Sequence, residues 1–271
     1  MQGDRNSNPC PHRMFKNKKE KRNGPMGDNV LPFGYYNIDC MEGMKRFPDN
    51  YFDLAVVDPP YGINAPEMSM GTNRSRTRNG YPSESTSDRI RKGRLNKGGG
   101  TLKNRMLNNA DCSWDTAPPT EEYFRELFRV SKNQIIWGAN YFALPPTRCM
   151  VVWDKLQPWE NFSQVEIAWT SFDRPAAIFR RSNTGGKNTE RKIHPTQKPV
   201  AMYEWLLNKF SVPGERILDT HVGSASSLIA CHNTGHPYVG FEIDPCYYAL
   251  SSERLKNEEA QTVIDFVSLM A

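Results

Sequence analysis

The chain has 271 residues, with 35 Lys/Arg against 30 Asp/Glu and a formal net charge of +5. That length suits one α/β domain with insertions and a full hydrophobic core, and no run of about 18 apolar residues is present to span a membrane as a helix. Six cysteines (Cys10, Cys40, Cys112, Cys149, Cys231, Cys246) stand without a CxxC pair, which argues against a disulfide framework or a structural zinc site. The polar, basic N-terminus lacks the apolar segment of a signal peptide, so a cytoplasmic location is expected.

In chain order the pattern alternates strand and helix. Residues 1–30 carry seven Lys/Arg against three acids and read as a basic, disordered tail. A domain over 31–271 follows, opening with a short strand near Tyr35–Asp39 and a helical stretch around Cys40–Phe47. Pro48-Asp49-Asn50 turns the chain into an apolar strand, Phe52–Val57, that ends at Asp58. Residues 62–113 then insert ten Lys/Arg against four acids, net +6, leaving the remainder of the chain acidic. Thr120–Val130 has helical spacing, Gln134–Trp137 reads as a strand, and Met150–Trp153 with Val165–Thr170 reads as a hairpin. Pro199–Phe210 is an amphipathic helix closed by Pro213-Gly214. The strand Arg216–Asp219, the helix Ser224–Asn233, the strand Tyr238–Glu242 and a last helix from Pro245 to about Asn257 complete the series.

Three constellations carry chemistry. The first is Asp58-Pro59-Pro60-Tyr61 at the carboxyl end of a buried strand, where open α/β sheets bind their ligands. Pro60 holds Pro59 out of the α region and neither ring has an N–H, so a carbonyl is presented in a fixed direction. A carboxylate, a fixed carbonyl and an aromatic ring suit a flat substrate bearing an NH2 group. The second is Ile217–Ser227, an apolar strand ending in Asp219, then a turn of small residues with Gly223 and Ser224 that opens a helix; its N–H groups and close backbone approach suit a nucleotide-like ligand. Twenty-three residues after Asp219 the next strand ends in Glu242, the spacing of an acid that binds ribose hydroxyls. A bland strand–helix turn explains this second pattern about as well, because the companion glycines are missing. The third is His194-Pro195-Thr196-Gln197-Lys198-Pro199, which sets a hydroxyl and a cation at a helix start.

The tetrapeptide at Asp58 resembles the catalytic motif of DNA amino-methyltransferases, which methylate adenine N6 or cytosine N4 with S-adenosyl-L-methionine. The Asp219 segment resembles that family's cofactor loop, usually Asp-Pro-Phe-x-Gly-Ser-Gly, with Thr220 and His221 in place of Pro-Phe and Ala225 in place of the last Gly. His194–Pro199 matches the motif upstream of that loop almost letter for letter. Asp58 precedes Asp219 by 161 residues, the circularly permuted order of the beta group, and the segments around Ser131–Phe142, Trp153–Lys155 and Glu166–Pro175 resemble its short phage-type members.

The resemblance covers residues 33–257 and implies a single Rossmann-like methyltransferase domain with a mostly parallel, seven-stranded sheet. It implies catalysis by Asp58, Pro59, Pro60 and Tyr61, with Trp159 or Phe162 against the opposite face of the base. Asp39, Thr196, Lys198, Asp219, His221, Gly223, Ser224 and Glu242 would bind the cofactor; Thr196 and Lys198 would face its carboxylate and Asp39 its adenine. Arg74, Arg76 and Arg78 in the insertion, with Arg180, Arg181 and Lys187, would contact double-stranded DNA. No metal and no membrane partner are expected; a homodimer is left open and a cognate restriction endonuclease is not required. Adenine N6 is preferred because Asp rather than Ser opens the motif. The alternatives are cytosine N4, a DNA-binding relative with a decayed cofactor loop and, least, a nucleotide-cofactor oxidoreductase.

Overall fold

The computed structural model describes residues 30–63, 115–157, 163–182, 193, 194 and 196–270, with side chains described up to residue 261. Eight strands form one sheet in the order β1-β8-β7-β2-β3-β5-β4-β6. They are β1 (Gly34–Tyr36), β2 (Phe52–Val57), β3 (Ser131–Trp137), β4 (Met150–Asp154), β5 (Val165–Thr170), β6 (Ala177–Arg180), β7 (Ile217–Asp219) and β8 (Tyr238–Phe241). Only β5 runs against the rest: it is antiparallel to both β3 and β4, and every other pairing is parallel.

The helices are α1 (Cys40–Met44), α2 (Glu121–Val130), α3 (Val200–Phe210), α4 (Ser226–Asn233) and α5 (Pro245–Met270). They cover both faces, which is why the central strands are apolar on both sides. From β2, Leu54 and Val56 face a core with Met202, Leu206 and Phe210 of α3. Ala55 and Val57 face the opposite core, with Met44 of α1 and Tyr123, Leu127 and Val130 of α2. The alternation is the period-2 geometry of a strand.

Local chemistry sets the helix starts. Asp39 caps α1, accepting hydrogen bonds from the N–H of Met41 (2.8 Å) and Glu42 (3.3 Å), and Thr120 Oγ1 accepts from Tyr123 N–H at the start of α2 (3.4 Å). Arg129 near the end of α2 donates to the Met44 and Phe47 carbonyls at 3.2 and 2.9 Å, satisfying the open end of α1 and tying the two helices together.

Three differences from the sequence reading have physical causes. The sheet has eight strands rather than seven, because Ala177–Arg180 pairs in parallel with β4. This edge strand is four residues long, follows Pro175 and is half exposed, so it carries little periodic signal. The helix α2 runs into β3 without a loop, Ser131 being both the helix end and the first strand residue. The last helix continues to Met270 rather than Asn257, since no Gly or Pro interrupts residues 258–270. The hairpin of β4 and β5 forms as expected, with Asp154 opposite Val165. The tail and most of the basic insertion lie outside the described residues.

The strand order places the site. From β2 the chain crosses through α2 to β3 on one side, and from β7 it crosses through α4 to β8 on the other. Since β2 and β7 are neighbours, with Ala55 beside Leu218, the order reverses between them. A crevice opens at such a switch point, outside the carboxyl ends of the strands, and Asp58 and Asp219 stand on its two sides.

Candidate active site

Asp58 follows the last residue of β2 and its carboxylate is held on both oxygens. The Tyr61 hydroxyl donates to Oδ1 at 2.6 Å, and the Lys198 ammonium donates to Oδ2. Lys198 sits just before α3 with only 2% of its side chain exposed, and it reaches Glu166 Oε2 of β5 at 3.1 Å and the Tyr61 hydroxyl at 3.3 Å. Those three acceptors use all three ammonium hydrogens. Glu166 in turn takes Lys155 Nζ at 2.6 Å on its other oxygen. The result is a row of alternating charge, Lys155–Glu166–Lys198–Asp58, ending on Tyr61, fully buried at Lys198 and half-buried at the other three. Lys198, expected from sequence at a cofactor carboxylate, is paired here with the Asp58 carboxylate.

Burial pushes Asp58 above the usual carboxylate range; the Lys198 charge opposes this and the Glu166 charge adds to it. For Glu166 burial also pushes upward, but Lys198 and Lys155 outweigh it and hold the group down to about 2. Burial alone would lower Lys198, yet the Asp58 and Glu166 carboxylates keep it above the ordinary lysine value and charged. Tyr61 is driven well up by burial and by Asp58, so it remains a hydrogen-bond donor.

The ring of Tyr61 lies on glycine backbone. Gly138, the residue after β3, has φ +79°, and a Cβ there would come within 2.3 Å of Tyr61 Cε1. Tyr141 stacks on Tyr61 at 4.9 Å and 15°, and Phe142 meets it edge-on at 6.0 Å. Tyr141 is 44% exposed and offers an aromatic face at the rim. Trp159 and Phe162 lie outside the described residues. The glycine followed by two aromatics after a strand was a usable signal for this wall; Glu166 and Lys155 left no comparable mark. The turn after Tyr61 is fixed from far along the chain: the Gly62 N–H donates to buried Asp115 Oδ1 at 2.8 Å, so the ends of the insertion meet beside the motif.

On the other side of the crevice Asp219 is 2% exposed. Its carboxylate accepts from the His221 N–H at 2.9 Å and from the Ser227 hydroxyl, so it organises the turn into α4. Burial raises it to about 7, while those hydrogen bonds oppose the shift. Thr220 and His221, the departures from the family's Pro-Phe, are tied to α2: Tyr123 and Thr220 hydroxyls meet at 2.7 Å, and Thr220 Oγ1 meets His221 Nδ1 at 2.9 Å. Burial lowers His221 to about 4, so the ring is neutral at pH 7. Ala225 adopts φ +61°, the left-handed region that the family's glycine would take freely, with its methyl packed beside Val222, Leu228 and Ile229.

Glu242 accepts the Gly223 N–H on Oε2 and the Asp244 N–H on Oε1, both at 2.9 Å. Each oxygen keeps a lone pair for a ligand hydroxyl. Ile243 beside it is 62% exposed. Thr196 bonds His194 Nδ1 at 3.2 Å, and His194 packs 3.6 Å from the place a Gly223 Cβ would occupy. Ser224 bonds Ser226 at 3.0 Å, and its carbonyl accepts from Arg254. The Asp39 carboxylate is engaged in capping α1. Arg180 and Arg181 lie at the carboxyl end of β6, Arg180 3.7 Å from Asp154; Arg74, Arg76, Arg78 and Lys187 lie outside the described residues. Among the described residues this crevice is bordered by Asp39, Asp58, Asp219 and Glu242, while Lys198 at its edge is paired with Asp58 and Glu166. Such a donor set fits a hydroxyl-rich, cationic ligand, as the sulfonium S-adenosyl-L-methionine is.

The DNA methylase family model matches residues 147–253. The type II methyltransferase M.HpaI of Haemophilus parainfluenzae is 34% identical over 84 residues, 31% of this chain and 27% of that enzyme. The type II methyltransferase M2.MboI of Moraxella bovis is 23% identical over 270 residues, 85% of this chain and 93% of that protein. Among solved structures, the cytosine-N4-specific PvuII DNA methyltransferase is 12% identical, with a TM-score of 0.46 over 85% of this chain and 92% of that one. With the Asp-Pro-Pro-Tyr motif, the cofactor-type loop and the permuted strand order on one sheet, the chain is similar to the N6/N4 DNA methylases, whose family model matches its residues 147–253.

Proposed function

We propose that this chain methylates the exocyclic N6 amine of adenine in duplex DNA, using S-adenosyl-L-methionine bound across β7 and β8. The observation that carries the reading is Asp58, a carboxylate fixed by Tyr61 and Lys198 at the switch point and beside an aromatic wall. The lone pair of an aromatic amine is delocalised into the ring, which makes the amine a poor nucleophile. Asp58 accepts one amine hydrogen through a remaining lone pair and the Pro59 carbonyl accepts the other, drawing the nitrogen lone pair toward the reacting carbon. When bound, the cofactor supplies a methyl group on a sulfonium, whose carbon–sulfur bond breaks with its electron pair leaving on sulfur. Asp58 takes the proton released by the methylated amine in this reading.

The amine is not reachable inside duplex DNA, so the base is flipped into the crevice, where Tyr61 and Tyr141 give it a stacking surface. Glu242 would hold the ribose hydroxyls and Ile243 would lie against the cofactor's adenine. Arg74, Arg76, Arg78, Arg180, Arg181 and Lys187 are proposed DNA contacts. Cytosine N4 is the second reading, since it requires the same acceptors around a smaller ring; Asp at the first motif position favours adenine. Nucleoside mass spectrometry of DNA treated with the protein and the cofactor tests this. N6-methyladenine is expected, N4-methylcytosine would select the second reading, and neither product would refute both.

A further inference from the structure

The charged row behind Asp58 is longer than amine binding requires. An acceptor carboxylate could be oriented by Tyr61 alone, yet Lys198 is buried against it and then shared with Glu166, which Lys155 neutralises from behind. Lys155 lies just beyond β4 and Glu166 in β5, far in sequence from the motif. A buried ammonium bound to Asp58 alone would draw the carboxylate's electron density to itself and weaken it as an acceptor. Shared between two carboxylates, the same ammonium fixes Asp58 in place while its charge is divided. The four groups Lys155, Glu166, Lys198 and Asp58 sum to zero charge, which lets the row be buried at all.

We propose that Glu166 and Lys155 are positioning residues for methyl transfer, acting through Lys198 to hold Asp58 in orientation while keeping it a strong acceptor. This rests on the catalytic reading of Asp58. The titratable groups around Asp58 are Lys198, Glu166, Tyr61, Tyr203 of α3, Tyr123 of α2 and Asp219 of β7. Within the pH range in which the protein is folded and active, Tyr61, Tyr123 and Tyr203 stay protonated because burial drives all three well up. The Glu166 charge raises Asp58, so removing it moves Asp58 down; removing Lys155 leaves Glu166 less neutralised and moves Asp58 up.

The test compares Glu166→Gln and Lys155→Gln with the wild type in steady-state methylation of DNA across pH 5–9, alongside calorimetric affinity for S-adenosyl-L-methionine. Glu166→Gln should lower kcat by about 10²-fold, the cost of a misplaced reacting group, with cofactor affinity within about twofold. Its acid limb should move to lower pH, and that of Lys155→Gln to higher pH with a smaller loss of kcat. Opposed displacements are what a purely structural role does not produce. If Glu166→Gln fails to fold, Lys155→Gln carries the test, and an unmoved acid limb in it overturns the proposal; if it folds, no partial recovery of kcat in Glu166→Asp relative to Glu166→Gln overturns it too. So does wild-type kcat in Glu166→Gln. A wild type that methylates no DNA would refute the function itself, an outcome distinct from these.

Discussion

Lys198 donates a hydrogen bond to Asp58 across 140 residues of sequence, joining the segment before α3 to the end of β2. The contact turns two separate motifs into one site. It puts a buried cation against the Asp58 carboxylate.

Asp58→Ala removes the acceptor but none of the residues placed at the cofactor. Methyl transfer should fall by about 10²–10⁴-fold, with affinity for S-adenosyl-L-methionine largely retained. Activity kept within a few-fold of wild type would remove Asp58 from the mechanism.

Gly138→Ala should act through Tyr61. Alanine at φ +79° is strained by roughly 1 kcal/mol, and the new methyl occupies the place of the Tyr61 ring edge. The variant should fold, bind cofactor normally and lose about 10²-fold in kcat as Tyr61 is displaced. A thermal melt with paired kinetics checks this; unchanged kcat would show that the ring position does not matter.

Glu242→Ala should weaken cofactor binding by about 1.5–3 kcal/mol, the worth of hydrogen bonds to a charged group. It also frees the Gly223 N–H, so the loop into α4 loosens in the same direction. Isothermal titration reads the loss directly, and unchanged affinity would move the ribose site away from β8.

Asp219 predicts a pH-dependent stability. Its carboxyl titrates near 7 in the folded protein and near 3.9 in an unfolded chain. Its contribution is therefore whole below about pH 4 and is lost as the pH rises through 7, by roughly 1.4 kcal/mol per unit in that window. Asp219→Asn keeps an acceptor for the His221 N–H and a partner for Ser227 without ionising. Its melting temperature should gain on the wild type from pH 4 to 7 and then hold a constant lead; parallel profiles would mean that Asp219 is not buried as described.

The basic insertion should read phosphate. If Arg74, Arg76 and Arg78 contact the DNA backbone, neutralising them should flatten the slope of log K against log salt by about 0.9 per lost contact, without touching cofactor affinity. Equal slopes for wild type and variant would assign DNA binding to other residues.

The elements and the residue types at their ends are legible in local sequence. Apolar runs closing on Asp58, Asp219 and Glu242 are local patterns, as are the Pro-Pro turn, the small residues before α4 and the helical spacing of Glu121–Val130. Each is written within about a dozen residues, because strand and helix periodicity and turn preference are local properties of the backbone. The tertiary structure decided which groups meet. Lys198 reads from sequence as a cation at a helix start, and only strand order brings it to Asp58 and Glu166. His221 reads as a pocket residue, and only the packing of α2 turns it toward Tyr123 and Thr220. Nothing in the sequence pairs Glu166 with Lys198, and β6 becomes a strand only because β4 offers it an open edge. A charge acquires its role from partners that no neighbouring residue specifies, so that part of the site exists only once the sheet has closed.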